Sequence, residues 1–197
     1  MKHLPDFPLV RPAKLSQLFV DREITYFSEA VAYLRKLPYR RTSESRDLSS
    51  VLADSGGSFT ARNALLVQLA REQGFKDLSL SLCTHEFDRN CPEVDAILGE
   101  QGLEGFPDAQ GCVQYQGQMF TVANDSLCLE AEVLSAIEIA PAQINTFKRR
   151  YHQNYLSNWV RLERLDRVWS VETLWDIRSR CLDQVARHWN RCLRSVS

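Results

Sequence analysis

The residues that could do chemistry in this chain begin at a glycine-rich turn, Gly56-Gly57-Ser58, which leads into a helix-forming stretch. In several enzyme folds the first turn of such a helix carries the nucleophile, because a helix N-terminus stabilises an anion. Here the turn supplies Ser58, Phe59 and Thr60, so hydroxyls are present and a thiol is not. The turn therefore lies where such enzymes carry their nucleophile, but it contains no cysteine.

Other side chains could serve a relocated mechanism. Cys112 lies two residues after Gln110 in a strand-like segment, so both side chains face the same side. His85 ends a neighbouring strand-like segment, and Cys83 points to the same side as His85. A Cys112–His85 thiol pair is one alternative, and Ser58 as a hydroxyl nucleophile is another. Ordinary buried or capping side chains are the third.

The helices that must position these residues follow from hydrophobic spacing. Apolar residues at helical intervals predict helices at residues 23–37 and 59–73, with a short helix near 48–52. After Pro141 the sequence predicts two long helices, the second capped by Ser170. The first is expected to align Tyr151, Tyr155, Trp159 and Leu162, and the second Ile177, Cys181, Val185 and Cys192.

The strands are predicted between these helices. Alternation of Leu78, Leu80 and Leu82 with small polar residues indicates a strand with one buried face. After an irregular segment, Gln116-Gly117 predicts a hairpin between two short strands. Helices, then strands, then helices are typical of an α+β domain.

Composition sets the class of protein. The chain has 197 residues, 44% of them hydrophobic and 25% charged, which is typical of a globular domain. Residues 1–22 are interpreted as an extended N-terminal arm, and residues 23–197 as a single domain that includes a helical segment at 141–197. No apolar run is long enough to span a bilayer and no export signal is visible, so we expect a cytoplasmic protein with no membrane partner.

Charge and cysteine content exclude further classes. The net charge is −1, although residues 86–138 carry eleven acidic side chains against one basic, and residues 139–197 carry eleven basic against five acidic. A duplex-binding protein more often has a net positive charge, so we expect no nucleic-acid partner. The six cysteines include no CxxC pair, which favours free thiols and predicts no metal site and no cofactor.

Several motifs, in order, resemble the transglutaminase-like superfamily of papain-type thiol enzymes, and in particular a bacterial branch of uncharacterised proteins. That branch has the patterns LPYgR, GTCStKHALL, PEAH and W-iRe-CI. This chain reads "LPYRR" at 37–41, "GSFTARNALL" at 57–66, "PDAQ" at 107–110 and "WDIRSRCL" at 175–182. The resemblance covers about residues 20–185. It implies a helix carrying the nucleophile position, packed on a small antiparallel sheet, with C-terminal helices.

The resemblance also assigns the three catalytic positions of that family. Counting back from the closing Arg71 and Gly74 places the family cysteine at Phe59. The family histidine falls on Gln110, and the family aspartate falls on Thr121. Phenylalanine cannot ionise, a glutamine amide does not titrate near neutral pH, and threonine offers only a neutral hydroxyl. All three members of the Cys-His-Asp triad are therefore replaced.

These replacements predict a pseudoenzyme with no catalytic residue, acting as a peptide-binding, small-ligand-binding or protein-interaction module. Its remnant cleft would be lined by Phe59, Gln110 and Thr121, and Phe59 is expected to fill the former pocket. The alternative is a thiol- or hydroxyl-dependent amide hydrolase or acyltransferase that uses Cys112, with His85, or Ser58. A subunit that stabilises an active partner is a third interpretation.

Overall fold

The computed structural model describes residues 4–122 and 133–195. Over these residues the chain has seven α-helices and a four-stranded antiparallel sheet, which confirms the α+β class. The helices are α1 (Lys14–Val20), α2 (Phe27–Arg35), α3 (Ser50–Ala53), α4 (Phe59–Glu72), α5 (Pro92–Gln101), α6 (Thr146–Leu162) and α7 (Val171–Ser195). The strands are β1 (Ser79–Asp88), β2 (Gly105–Tyr115), β3 (Gln118–Phe120) and β4 (Val133–Ile139).

The sheet has the strand order β3-β2-β1-β4. Its centre is the long pair of β1 and β2, which runs from Ser79 opposite Gln114 to Asp88 opposite Gly105. The predicted hairpin between β2 and β3 is confirmed. Its turn residues Gln116 and Gly117 have φ angles of 48° and 75°, as a type I′ turn requires.

Two hydrophobic clusters lie on either side of the head of α4. The first joins α1, α2 and the buried body of α4 to the sheet face that carries Leu80, Leu82 and Val113. The second joins α5, α6 and α7 around Phe87 and Phe106. Phe59, the first residue of α4, belongs to the second cluster, whereas the rest of the buried face of α4 belongs to the first. Phe59, the position that the resemblance assigns to the family cysteine, therefore lies where the two hydrophobic clusters meet.

The expectation of an extended arm at residues 1–22 is wrong for its second half, because Lys14–Val20 form α1. The first amides of α1 are capped by the carboxylate of Glu72, which accepts hydrogen bonds from Leu15 N (3.1 Å) and Ser16 N (3.0 Å). This cap comes from a residue more than fifty positions away. No local capping signal in the sequence could announce the helix.

The segment between the first strand and the hairpin is regular, which corrects the expectation of an irregular crossing. β1 continues to Asp88, α5 begins at Pro92, and β2 starts at Gly105. Within α5 only Val94 and Leu98 are buried, so its apolar stripe is too short to indicate a helix. The edge strand β4 was also not expected from the sequence, since most of its side chains are at least partly exposed.

The two long C-terminal helices are confirmed, with corrections to their buried faces. Ser170 caps α7 as predicted, since its Oγ accepts a hydrogen bond from Thr173 N at 3.0 Å. The expected stripe of α6 is at most half-buried, and the buried side chains lie one position further along at His152, Leu156 and Val160. In α7 the expected Cys192 is exposed, and Trp189 is buried instead.

The expectation that all six cysteines are free is also corrected. Cys83, Cys112, Cys181 and Cys192 are free thiols, but Cys91 is disulfide-bonded. Sequence spacing cannot show which distant cysteines approach one another, so this bond had no signal in the sequence. Among the described residues no helix combines the length and the apolar character needed to cross a bilayer.

Candidate functional site

The head of α4 is built around the buried ring of Phe59, which is 7% exposed. The ring makes edge contacts with Tyr39 (centroids 5.0 Å apart) and with Trp189 (5.2 Å). The Arg62 guanidinium lies over it at 5.4 Å. Beside it, Ser58 caps the helix by accepting a hydrogen bond from Ala61 N at 3.2 Å. The position that the resemblance gives to a nucleophile therefore holds a packed aromatic side chain.

Two side chains of α7 hold the segment around Tyr39 in place. Trp189 Nε1 donates a hydrogen bond to the carbonyl of Leu37 at 3.1 Å. The Asn190 amide pairs with the backbone of Tyr39 at both ends, accepting from its N–H at 2.8 Å and donating to its carbonyl at 3.1 Å. The last helix thus fixes the segment that carries the "LPYRR" motif.

The other two assigned positions lie close to the same place. Gln110 on β2 lines a cavity of about 60 Å³ together with Phe59. Thr121 follows β3, and its Oγ1 accepts hydrogen bonds from Gln110 Nε2 (3.5 Å) and from Asn63 Nδ2 (3.1 Å). Phe59 and Gln110 therefore share one cavity, and Gln110 contacts Thr121. Thr121 itself is not part of the lining of the cavity, so the expected cleft is lined by two of the three assigned positions.

The opposite wall of the cavity is lined by ionisable side chains. Asp108 and Gln110 share one face of β2, and His85 lies directly opposite Asp108 on β1. Asp108 is buried and forms a short ion pair with Arg178 of α7. Lys148 of α6 reaches the cavity and donates a hydrogen bond from Nζ to Thr60 Oγ1 at 3.3 Å.

Burial and neighbouring charges move the pKa values of this wall. Burial alone would raise the pKa of Asp108, but the Arg178 guanidinium and the nearby histidines and Lys148 lower it well below its usual range. Desolvation of the ammonium group, with repulsion from Arg178, lowers the pKa of Lys148 to about 8, although part of its side chain remains exposed. Burial also lowers the pKa of His85. At neutral pH the wall holds an anionic Asp108, cationic Arg178 and mostly cationic Lys148.

His152 of α6 completes the cluster. It is 1% exposed, and its ring Nε2 lies 2.9 Å from the carbonyl of Pro107, so Nε2 carries the proton. Nδ1 has no hydrogen-bond partner among the described residues. Burial lowers the pKa of His152 to about 4, and the imidazole is therefore neutral at pH 7.

This neutral histidine predicts a loss of stability in mild acid. In the unfolded chain a histidine takes up a proton near pH 6.5, whereas folded His152 does so only near pH 4. The unfolded state therefore binds more protons in this window, and the free energy of unfolding should fall as the pH drops from 6.5 to 4, by about 1–3 kcal/mol. Urea titrations at half-unit pH steps measure the slope.

In His152→Gln the slope over pH 6.5–4 should become shallower, because the titrating group is gone. The remaining slope includes His85, whose shift has the same sign. Equal slopes in the variant and the wild type would contradict a buried neutral His152.

The alternative nucleophiles, Cys112 with His85 and Ser58, are not arranged for catalysis. Cys112 and His85 are not hydrogen-bonded to each other; across the strands Cys112 faces Ser81, and His85 faces Asp108. The Cys112 thiol interacts with Cys83, which, with burial, raises the pKa of Cys112 well above its usual value. Ser58 lines the cavity, but its Oγ is the helix cap. The structure does not bring the Cys112–His85 pair together as a dyad.

A wider groove of about 860 Å³ lies beside the cavity. It is bounded by the "LPYRR" segment, the head of α4, and the facing sides of α6 and α7. Ser58, Lys148 and Arg178 line both the cavity and the groove. Together they form one cleft, with the small cavity as its floor.

Sequence reasoning missed most of the charged wall. Asp108 had a usable signal, since it precedes Gln110 by two residues and so shares its face of the strand. Arg178 lies inside the "WDIRSRCL" motif, although nothing in that motif names its partner. Lys148 and His152 had no signal, because the rotation of α6 that brings them inward differs by one residue from the aromatic stripe. The described residues contain no group of three or more histidine, cysteine or acidic side chains that could hold a metal ion.

Comparison of this chain with protein-family models, with curated proteins and with solved structures finds no significant match.

Proposed function

We propose that this protein is a non-catalytic binding module, related in design to the transglutaminase-like proteins, whose ligand lies in the cleft at the head of α4. The observation that carries the proposal is Phe59. Its ring is wedged between Tyr39 and Trp189 at the place where a nucleophile would stand. A benzyl side chain cannot ionise or attack a carbonyl carbon. A cleft closed at this point can hold a ligand but offers it no nucleophile there.

The strand positions support the same proposal. Gln110 and Thr121 interact through neutral groups, so neither can accept a proton near pH 7. The carboxylate that lines the cavity, Asp108, is bound to Arg178 and held ionised by it. The polar groups of the cavity are thus arranged to bind and orient, and the resemblance to a peptide-processing fold makes a peptide or a small polar molecule the expected ligand.

A hydroxyl- or thiol-dependent amide hydrolase or acyltransferase is the competing proposal, and one contact favours it. Lys148, with its lowered pKa, lies 3.3 Å from Thr60 Oγ1 and could act as a base. The same oxygen also accepts a hydrogen bond from Gly111 N at 3.0 Å, and Thr60 is buried. A methyl group at Gly111 would clash with the Thr60 side chain. Thr60 is therefore better explained as a link between α4 and β2.

Thiol reactivity tests the thiol-dependent form of the competing proposal. Iodoacetamide at pH 7.5 should modify the exposed Cys192 rapidly, whereas Cys112 should react only after unfolding, because it is buried and its pKa is raised. Peptide mapping by mass spectrometry measures both in one sample, so Cys192 is the internal control. Rapid labelling of Cys112 that a peptide amide blocks would support the enzyme.

The direct test of the proposed function measures binding and turnover together. A neutral capped peptide, acetyl-Ala-Gln-Ala-amide, is titrated into ¹⁵N-labelled protein while ammonia release is followed. We expect saturable shifts of the Ser58 and Gln110 amide resonances and no ammonia above the blank. Ammonia release that Ser58→Ala or Cys112→Ala abolishes would refute the proposal, as would the absence of shifts with both this peptide and small polar ligands.

A further inference from the structure

The groove beside the cavity is strongly basic. Its lining includes the side chains of Arg40, Arg41, Lys148, Arg149 and Arg178, against one carboxylate, Asp183. A second carboxylate, Asp108, lies in the cavity below and is already bound to Arg178. The net charge of the whole chain is only −1, so this concentration of positive charge is local and not a property of the composition.

Three of these cations have no anionic partner within residues 4–122 and 133–195. Among the described residues no salt bridge involves Arg40, Arg41 or Arg149. Arg149 is nevertheless held in position, because its guanidinium packs over the Trp175 ring at 5.6 Å, and Arg178 packs over the same ring at 5.0 Å. Two like charges over one aromatic ring repel each other, and an anion bound near Arg149 would offset that repulsion as Asp108 does for Arg178.

The first turn of α6 adds to the positive electrostatic potential of the groove. Asn145 and Thr146 line the groove. The N-cap residue of this 17-residue helix, Asn145, makes no side-chain capping hydrogen bond, and the first turn contains no acidic residue. Its N-terminal region instead carries Lys148 and Arg149, which is opposite to the usual preference for negative charge near a helix N-terminus. A bound anion would supply the missing negative charge.

A buried histidine lies in the wall of the groove. His152 lines the groove and is 1% exposed, and its Nδ1 atom has no hydrogen-bond partner in the part of the chain that the structure describes. Since Nε2 carries the proton, Nδ1 can only accept. A ligand that carries both negative charge and a hydrogen-bond donor would therefore match the cations and this nitrogen together.

We propose that the groove binds a small oxyanion with two or more negative charges and a hydroxyl or amino group, such as a phosphate monoester or a hydroxylated polycarboxylate. Arg41, Arg149 and Lys148 bind its oxygens. This inference rests on the proposed function, because it names the ligand class of the same cleft. The volume of about 860 Å³ suits a small molecule.

The test compares two adjacent arginines of one helix. Citrate and O-phosphoserine are titrated by calorimetry at 50 mM NaCl, with glycerol as the neutral probe. We expect one saturable site for at least one anion and none for glycerol. Arg149→Gln should weaken binding about tenfold or more, as the loss of a charge-assisted hydrogen bond does. Arg150→Gln, one residue along but absent from the groove lining, should change it less than twofold.

The pH dependence gives a second readout. Lys148 faces Asp108 and Cys112 of β2, His85 of β1, His152 on its own helix and Arg178 of α7, and its ammonium loses its proton near pH 8. Anion affinity should therefore fall as the pH rises from 7 to 9. In Lys148→Arg the charge persists, so this decline should disappear while binding at pH 7 is retained.

The outcomes separate this inference from the proposed function. If no compact anion binds, or if the Arg149 and Arg150 variants lose the same affinity, the oxyanion assignment is overturned. Shifts of Ser58 and Gln110 by the neutral peptide would then still support a binding module. Binding of a polyanion such as single-stranded RNA without binding of either small anion would also overturn it. Turnover of the peptide would refute the proposed function itself.

Discussion

Replacing Phe59 with alanine should lower the free energy of unfolding by about 3–5 kcal/mol, the range found for deletion of a buried aromatic ring. Phe59 contacts Tyr39 and Trp189 edge-on and carries the Arg62 guanidinium over its face. Removal of the ring would open a space where the two hydrophobic clusters meet and would leave the buried Arg62 without part of its packing. Urea denaturation followed by circular dichroism measures the loss.

Phe147→Ala is the matched control. Phe147 lies near the start of α6 and is 40% exposed, so its replacement should change the stability by no more than about 0.5 kcal/mol. If Phe59→Ala were equally mild, the ring would not be part of the core, and an open pocket at the head of α4 would have to replace the closed one. That result would also remove the main support for a non-catalytic cleft.

Asp108→Asn should lower the free energy of unfolding by a similar amount, about 3–5 kcal/mol. The substitution removes one partner of a buried ion pair and leaves the other charge buried without compensation. The group left without its partner is Arg178, and Lys148 loses its favourable electrostatic interaction with the Asp108 carboxylate. Since the pKa of Asp108 is lowered in the folded state, its contribution is complete above about pH 4 and is lost as the pH falls further. The difference from the wild type should thus be nearly constant between about pH 5 and 6.5, below the range in which Lys148, whose pKa Asp108 raises, begins to lose its proton.

A surface pair provides the comparison. Asp95 binds Arg89 at 2.6 Å, but both side chains are more than two-fifths exposed. Asp95→Asn should cost less than about 1 kcal/mol, because solvent screens such pairs. A loss from Asp108→Asn no larger than this control would show that the cavity wall is hydrated and the ion pair weak.

Most of the secondary structure could be predicted where its determinants are local. The heads of α4 and α7 have serine caps, the β2–β3 turn has a glycine that allows positive φ, and the leucines of β1 alternate. Two of the elements that were missed, α1 and β4, depend on distant residues. The cap of α1 is Glu72, and β4 exists through its pairing with β1.

The candidate site also contains residues that the sequence could predict and residues that it could not. The family resemblance selects Phe59, Gln110 and Thr121. The structure places Phe59 and Gln110 in one cavity and Thr121 in contact with Gln110, although no comparison with known proteins adds support. The charged wall was not foreseeable, because it needs the rotation of α6 and the reach of Arg178 from α7. A lysine at position 148 reads as a solvent-exposed helix residue until the strand that it faces is known.

The clamp of Asn190 on the backbone of Tyr39 joins residues 151 positions apart. During synthesis on the ribosome, the "LPYRR" segment emerges long before the helix that holds it, so the cleft cannot be completed until nearly the whole described chain has left the exit tunnel. The proposed binding cleft should therefore be assembled only after α7 has been synthesised. A chain that ends before α7 would lack Trp175 and Arg178 of the groove and the Asn190 clamp on Tyr39.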